Sequence, residues 1–182
     1  MRRSDLAVVA IFSALVVGTD FVLAPFVSFK LLDTIVFMVA FVYGFKQGAA
    51  VAVVSETIWS VVSPWGAAGV MTPFLVGGEL VFALAGWGAS RVWKSDGKAV
   101  TPVGFFIGAA LAICAFVWDF ETNAVTALIW FGPGLSIPQL FSVELAGFVF
   151  PLPLAHELAD FALGTLLAPA SLFIMSRMRR AT

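Results

Sequence analysis

Apolar residues run along this chain in long stretches, and the short polar, glycine- or proline-bearing breaks between them mark out six segments. Leu6 to Val27 is the first. Leu31 to Phe45 is the second; it falls short of the about 20 residues a bilayer crossing needs, so it must tilt, thin the bilayer or be partly covered by neighbours. Gly44-Phe45-Lys46-Gln47-Gly48 predicts a tight turn, Ala49 to Val62 a third helix stopping before Pro64, and Ser63 to Gly69 a loop. Val70 to Trp93 is the fourth, closed by Lys94-Ser95-Asp96-Gly97-Lys98. Val103 to Phe131 is the fifth and, at about 1.5 Å per residue, outruns a hydrocarbon core of about 30 Å, so it must tilt, protrude or break near its polar cluster. Gly132 to Leu154 is divided by Pro133, Pro138, Pro151 and Pro153, and predicts a loop with a short helix lying against the outer end. Ala155 to Met175 is the sixth, with a kink expected at Pro169. The pattern predicts one all-α integral membrane domain over residues 1–182, a compact bundle of six transmembrane helices spanning approximately 6–27, 31–45, 49–62, 70–93, 103–131 and 155–175.

Composition agrees. The 182 residues are 61% hydrophobic and 12% charged, with a mean hydropathy of +1.04, against roughly 45–50% apolar and roughly 25% charged in soluble domains. No basic stretch interleaves with aromatics as nucleic-acid binding requires. The single Cys114 lies in an apolar segment and has no intrachain partner, which predicts a small core residue. The run after Arg2 and Arg3 has the outline of a secretory signal, but it is longer than a signal core and carries Asp20, so it is read as a span.

Charge placement gives the bundle two unlike ends. With six spans and both termini cytoplasmic, the inner face collects Arg2, Arg3, Lys46, Arg91, Lys94, Lys98, Arg177, Arg179 and Arg180, leaving only Lys30 outside. This orientation predicts a multi-pass protein of the cell membrane. The outer half collects Asp20, Asp33, Glu56, Glu79, Asp119, Glu121, Glu144, Glu157 and Asp160. A carboxylate at the bilayer centre costs about 2.5–3.5 kcal/mol on insertion scales, so a group of them predicts a wet, functional cavity.

Helical spacing selects among these acids. Asp119, Asn123, Thr126 and Trp130 share one face, with Glu121 pointing elsewhere; His156 and Asp160 stack at i, i+4 with Glu157 beside them; Glu56 lies one turn from Trp59. A carboxylate beside an aromatic face suits a flat cationic or amino-bearing ligand. Glu56, Trp59, Glu79, Asp119, Asn123, His156 and Asp160 are therefore the predicted ligand-binding residues. Glu144 and Asp33 lie near loops and are expected to be solvated. Trp65, Trp118 and Trp130 fit an interfacial aromatic belt as well as a ligand contact.

His156-Glu157-Leu158-Ala159-Asp160 has the outline of the zinc-protease pattern H-E-x-x-H, but its second histidine is missing and the chain holds no other. No metal or cofactor is expected, and no catalytic residue: there is no G-x-S-x-G, no P-loop and no aspartate-rich diphosphate motif. Ala10, Ala14 and Gly18 make a smooth strip on the first helix that lets another helix approach, and Gly44, Gly48 and Ala52 form a second such series. Packing within the bundle is the default reading of either.

The six spans, the short second segment and the Ala10-x-x-x-Ala14 strip resemble the substrate-binding S components of energy-coupling factor (ECF) vitamin transporters. Gly44-Phe45-Lys46-Gln47-Gly48-Ala49-Ala50, the break at Ser63-Pro64, Pro73-Phe74-Leu75-Val76-Gly77-Gly78 and Gly164-Thr165-Leu166-Leu167-Ala168-Pro169 are similar too. The resemblance implies capture of a small water-soluble vitamin or precursor from outside, and release inside driven by a transmembrane energising subunit with two ATPases. Ala10, Ala14 and Gly18 would be the docking face for that partner. Gly48-Ala49-Ala50 leading to Ser55-Glu56, and Gly78-Glu79 leading to Trp87, look like members that take thiamine or its hydroxymethylpyrimidine precursor. The alternative is a stand-alone secondary or proton-coupled transporter in which the same carboxylates relay protons.

Overall fold

The computed structural model describes residues 3–26, 28–92, 100–149 and 154–181, and among these every regular element is helical. The α-helices are α1 (Arg3–Leu23), α2 (Leu32–Tyr43), α3 (Phe45–Val62), α4 (Thr72–Val92), α5 (Val100–Phe131), α6 (Ile137–Val149) and α7 (Ala155–Ala181), with single 3-10 turns at Gly69–Met71 and Gly132–Gly134. Among the described residues seven α-helices thus stand where six spans were read, the seventh being Ile137–Val149, which realises the short helix expected in the proline-divided stretch and carries Pro138 in its first turn.

Among the described residues four helices are long and apolar enough to cross a membrane: Arg3–Leu23, Gly69–Val92, Val103–Gly134 and Ala155–Met175. Their surfaces fit that solvent. Leu6, Ile11, Leu84, Phe105, Ile113, Leu166 and Phe173 all face outward, while Asp20, Asp33, Glu56, Glu79 and Asp160 are buried. An apolar exterior around a polar interior is the arrangement hydrocarbon selects and water penalises.

α2 is the centre of the bundle. Leu32, Val36, Phe37, Val39 and Ala40 are wholly buried, so this helix is apolar nearly all round because α1, α3, α4 and α7 cover it. That explains its length: at 12 residues it is an enclosed core helix. The expected five-residue turn after it shrinks to Gly44 alone, whose φ of 108° reverses the chain, and α3 begins at once with Phe45. Gly48 then packs directly on Ala40, where an added Cβ would overlap both side chain and backbone. The second small-residue series is therefore spent inside the bundle.

α5 and α7 form the most extensive helix pair. Gly104 and Gly108, one turn apart on α5, rest on the α7 backbone at Thr165 and Phe161, and Gly164 rests on Gly108. This G-x-x-x-G contact is the close-packing device of membrane helices, and the sequence reading passed over it. α5 does not break at its polar residues. The Thr122 and Thr126 hydroxyls are satisfied by carbonyls of the preceding turn, which hides these polar groups within the helix, and α5 runs continuously over 32 residues. α7 likewise runs unbroken through Pro169 and beyond Met175.

Candidate ligand-binding site

On α1, Phe12, Val16 and Asp20 follow one another at helical spacing and turn inward. Asp20 ends that row, and its Oδ1 accepts a hydrogen bond from the Leu31 backbone N–H at 3.1 Å. This bond ties the end of α1 to the start of α2 and folds the connecting loop inward, with Ser28 in the left-handed region at φ 66°. The loop delivers Phe26, Phe29 and Lys30 to a cavity of about 510 Å³, a size that suits a small organic ligand.

Trp118 forms one wall. Its indole N–H donates to the Leu75 carbonyl at 3.4 Å, and it lies against Gly78 of α4, where any side chain would collide with the ring. The Lys30 ammonium stands 4.8 Å from the Trp118 ring centroid, in cation–π range, and the His156 ring meets Trp118 edge-on at 5.3 Å. Trp59 and Trp65 complete an aromatic lining, and α6 closes a side with Gly147 and Phe148, the latter beside Phe116 of α5 at 4.9 Å.

His156 joins three helices. Its Nδ1 lies 3.1 Å from Asp119 Oδ1 on α5, and its Nε2 lies 3.2 Å from Asp33 Oδ2 on α2 and 4.0 Å from Asp160 Oδ2 one turn along α7. Asp33 sits in the first turn of α2, where the positive end of the helix dipole favours a carboxylate. Burial works against a charge on Lys30, but the carboxylates of Glu56, Asp33, Glu79 and Asp20 outweigh it and hold the amine above its ordinary pKa.

The predicted residues therefore divide three ways. Trp59, Asp119 and His156 line the cavity. Glu56, Glu79 and Asp160 are buried beneath it, Glu56 accepting a hydrogen bond from the Ser60 hydroxyl at 3.1 Å. Asn123 is turned to α6 instead: its side chain packs on Gly147, three residues along that helix from Glu144, its one buried residue. Two expectations of solvation fail, since Asp33 is wholly buried and Glu144 nearly so. Glu121 faces Gly77 of α4, away from His156, as its helical phase required. Trp130 is 73% exposed and points outward, away from the face it was expected to share with Asp119. Trp87 lies against Phe45 and under the Arg91 guanidinium, apart from the cavity lining.

Sequence reasoning did not select Lys30, Asp20 or Glu157 and left Trp65 and Trp118 open between belt and ligand contact, yet all five line the cavity. Lys30 carried a signal: it is the single base assigned to the acidic half, and acids there need a counter-charge. Asp33 carried another, as the only charge in an otherwise apolar helix. The chain matches no protein-family model, no curated protein and no solved structure.

Proposed function

We propose that this chain is the substrate-capture subunit of an ECF-type importer in the cell membrane, taking a small water-soluble vitamin or precursor from the outer side. The observation that carries this reading is the cavity of about 510 Å³, in which Trp59, Trp65 and Trp118 stand beside the carboxylates of Asp20, Asp119 and Glu157. Flat π-faces with acceptors at their edges complement a heteroaromatic ring bearing an amino group or a positive charge. An aminopyrimidine such as hydroxymethylpyrimidine, or the thiazolium-bearing thiamine, has that chemistry. Trp59 and Trp118 stack on the ring, Asp119 and Glu157 accept from ligand nitrogens, and His156 orients the bound molecule.

In this reading α2 and α3 cross the bilayer with the four longer helices, both termini are cytoplasmic, and the cavity opens outward. Ala10, Ala14 and Gly18 support a docking role on α1, since all three are exposed and a Cβ at Gly18 would meet nothing within 4 Å. That strip is left free by the bundle, so it is open to a transmembrane energising subunit with its two ATPases. Thermal unfolding of the purified protein against a panel of water-soluble vitamins and precursors tests the reading: one chemical class raises Tm, and no shift with any member contradicts it.

A second reading, a proton-coupled carrier working alone, draws on Glu79 and Asp160, whose carboxylate oxygens find no hydrogen-bond donor among the described residues. Uptake by this subunit alone that collapses with the proton gradient favours the carrier. Uptake that requires a co-purifying partner, and is lost on Ala14→Trp, favours the capture subunit.

A further inference from the structure

His156 uses its two ring nitrogens differently. Among the described residues Nδ1 faces only the Asp119 carboxylate, at 3.1 Å, whereas Nε2 faces Asp33 at 3.2 Å and Asp160 at 4.0 Å. An imidazole that donates Nδ1–H to Asp119 leaves the Nε2 lone pair directed between two carboxylates. Asp33 Oδ2, Asp160 Oδ2 and His156 Nε2 all lie within 4.8 Å of one another, and all three residues are buried. Lone pairs converging in a low-dielectric interior repel unless a cation lies among them. A proton on Nε2 serves only the nearer acid, Asp33. Both oxygens of Asp160, itself 1% exposed, still find no donor among the described residues.

We propose that Asp33, His156 and Asp160 bind a divalent first-row metal ion, with Zn²⁺ the best match to one imidazole nitrogen and two carboxylate oxygens, and that water from the cavity completes its shell. Ligands about 2.1 Å from zinc stand roughly 3.4 Å apart at the tetrahedral angle, so the Asp33–His156 spacing of 3.2 Å already fits, and Asp160 closes by about 0.6 Å toward His156 and by at most about 1.4 Å toward Asp33. Asp119 supplies what metal-bound histidines regularly have: a carboxylate on the other ring nitrogen that fixes tautomer and orientation. His156 also lines the cavity, which gives the ion a path inward. The sequence pattern broke at the missing second histidine of H-E-x-x-H, but Asp160 occupies that helical position and Asp33, 123 residues distant from His156, supplies the third ligand. The ion also adds positive charge to an interior where Lys30 faces Asp20, Asp33, Glu56 and Glu79.

The test needs no organic ligand, so it stands apart from the capture reading. Chelator-stripped full-length protein in detergent is dialysed against ZnCl₂ or CoCl₂, and bound metal is counted by elemental analysis. One metal per chain is expected, with cobalt giving visible ligand-field bands and quenching Trp118, which sits 5.3 Å from His156. Asp160→Asn and His156→Ala abolish stoichiometric binding, Asp119→Asn weakens it about 10–100-fold, and Glu121→Gln leaves it unchanged. Should the site variants fail to fold, X-ray absorption of the zinc-loaded wild type must show one imidazole nitrogen and oxygen donors at about 2.0–2.2 Å. Substoichiometric metal in the wild type, full binding by His156→Ala, or an all-oxygen shell overturns the proposal.

Discussion

Trp118 packs directly on Gly78, and the indole occupies the space that any side chain at Gly78 would claim. The contact sets the wall of the cavity, because the same ring carries Lys30 on its face and His156 at its edge. Gly78→Ala therefore displaces the indole, at a cost of about 1–3 kcal/mol for overpacking. Thermal unfolding should show the loss together with a shifted tryptophan emission. Gly88→Ala, also within α4 but where an added methyl meets nothing within 4 Å, should neither lower Tm nor shift the emission.

Burial of Asp33 makes a second prediction. Removing one member of a buried, hydrogen-bonded charge pair costs about 3–5 kcal/mol, and Asp33→Ala strands His156 in this way. Substitution of a solvated loop acid stays within about 0.5 kcal/mol, so the size of the effect separates the two placements. The check is the unfolding free energy in detergent. A loss no larger than that of a surface substitution contradicts the burial.

Lys30 gives the pH dependence. Its amine is raised above the ordinary value of 10.5 by the surrounding carboxylates, so its stabilising contribution is complete below that value. It is lost only as pH rises through the higher folded-state pKa. Lys30→Met is therefore expected to lower Tm throughout the neutral and mildly alkaline range, with a wild-type–variant gap that stays flat up to pH 10. A gap that closes between pH 7 and 9 contradicts the placement of Lys30 among those acids.

Two small-residue strips should answer differently to bulk. Gly108→Leu drives a side chain into the α7 backbone and destabilises the bundle by about 1–3 kcal/mol or prevents folding. Ala14→Trp points away from the bundle and leaves Tm within the range of surface substitutions. If α1 docks a partner, the same Ala14→Trp eliminates its co-purification.

Hydropathy made the helical class legible, because a run such as Leu6 to Val27 has few other uses. Helical phase was nearly as informative within one helix: it turned Glu121 away from His156 and stacked His156 on Asp160. Where it failed, the deciding contact came from another helix. Nothing local distinguishes Asn123 from Asp119, yet Gly147 of α6 claims the former and His156 of α7 the latter. Asp33 looked solvated because it begins a helix after a loop. That loop is folded inward by the bond from Leu31 to Asp20, eleven positions away, and such a closure leaves no periodic trace. The turn expected over residues 44–48 illustrates the opposite limit, since a single glycine with positive φ did the work of five residues.

Substrate capture requires that the cavity between Trp118, Trp59 and His156 hold a small heteroaromatic molecule. Its most direct test is an equilibrium titration of the purified protein, following tryptophan fluorescence, with thiamine, hydroxymethylpyrimidine and the other water-soluble vitamins. One of them should quench the emission saturably at one molecule per chain, with most of the amplitude lost in Trp118→Phe and binding weakened in Asp119→Asn. No saturable change with any compound, or undiminished binding by a Trp59→Ala, Asp119→Ala double variant, would contradict it.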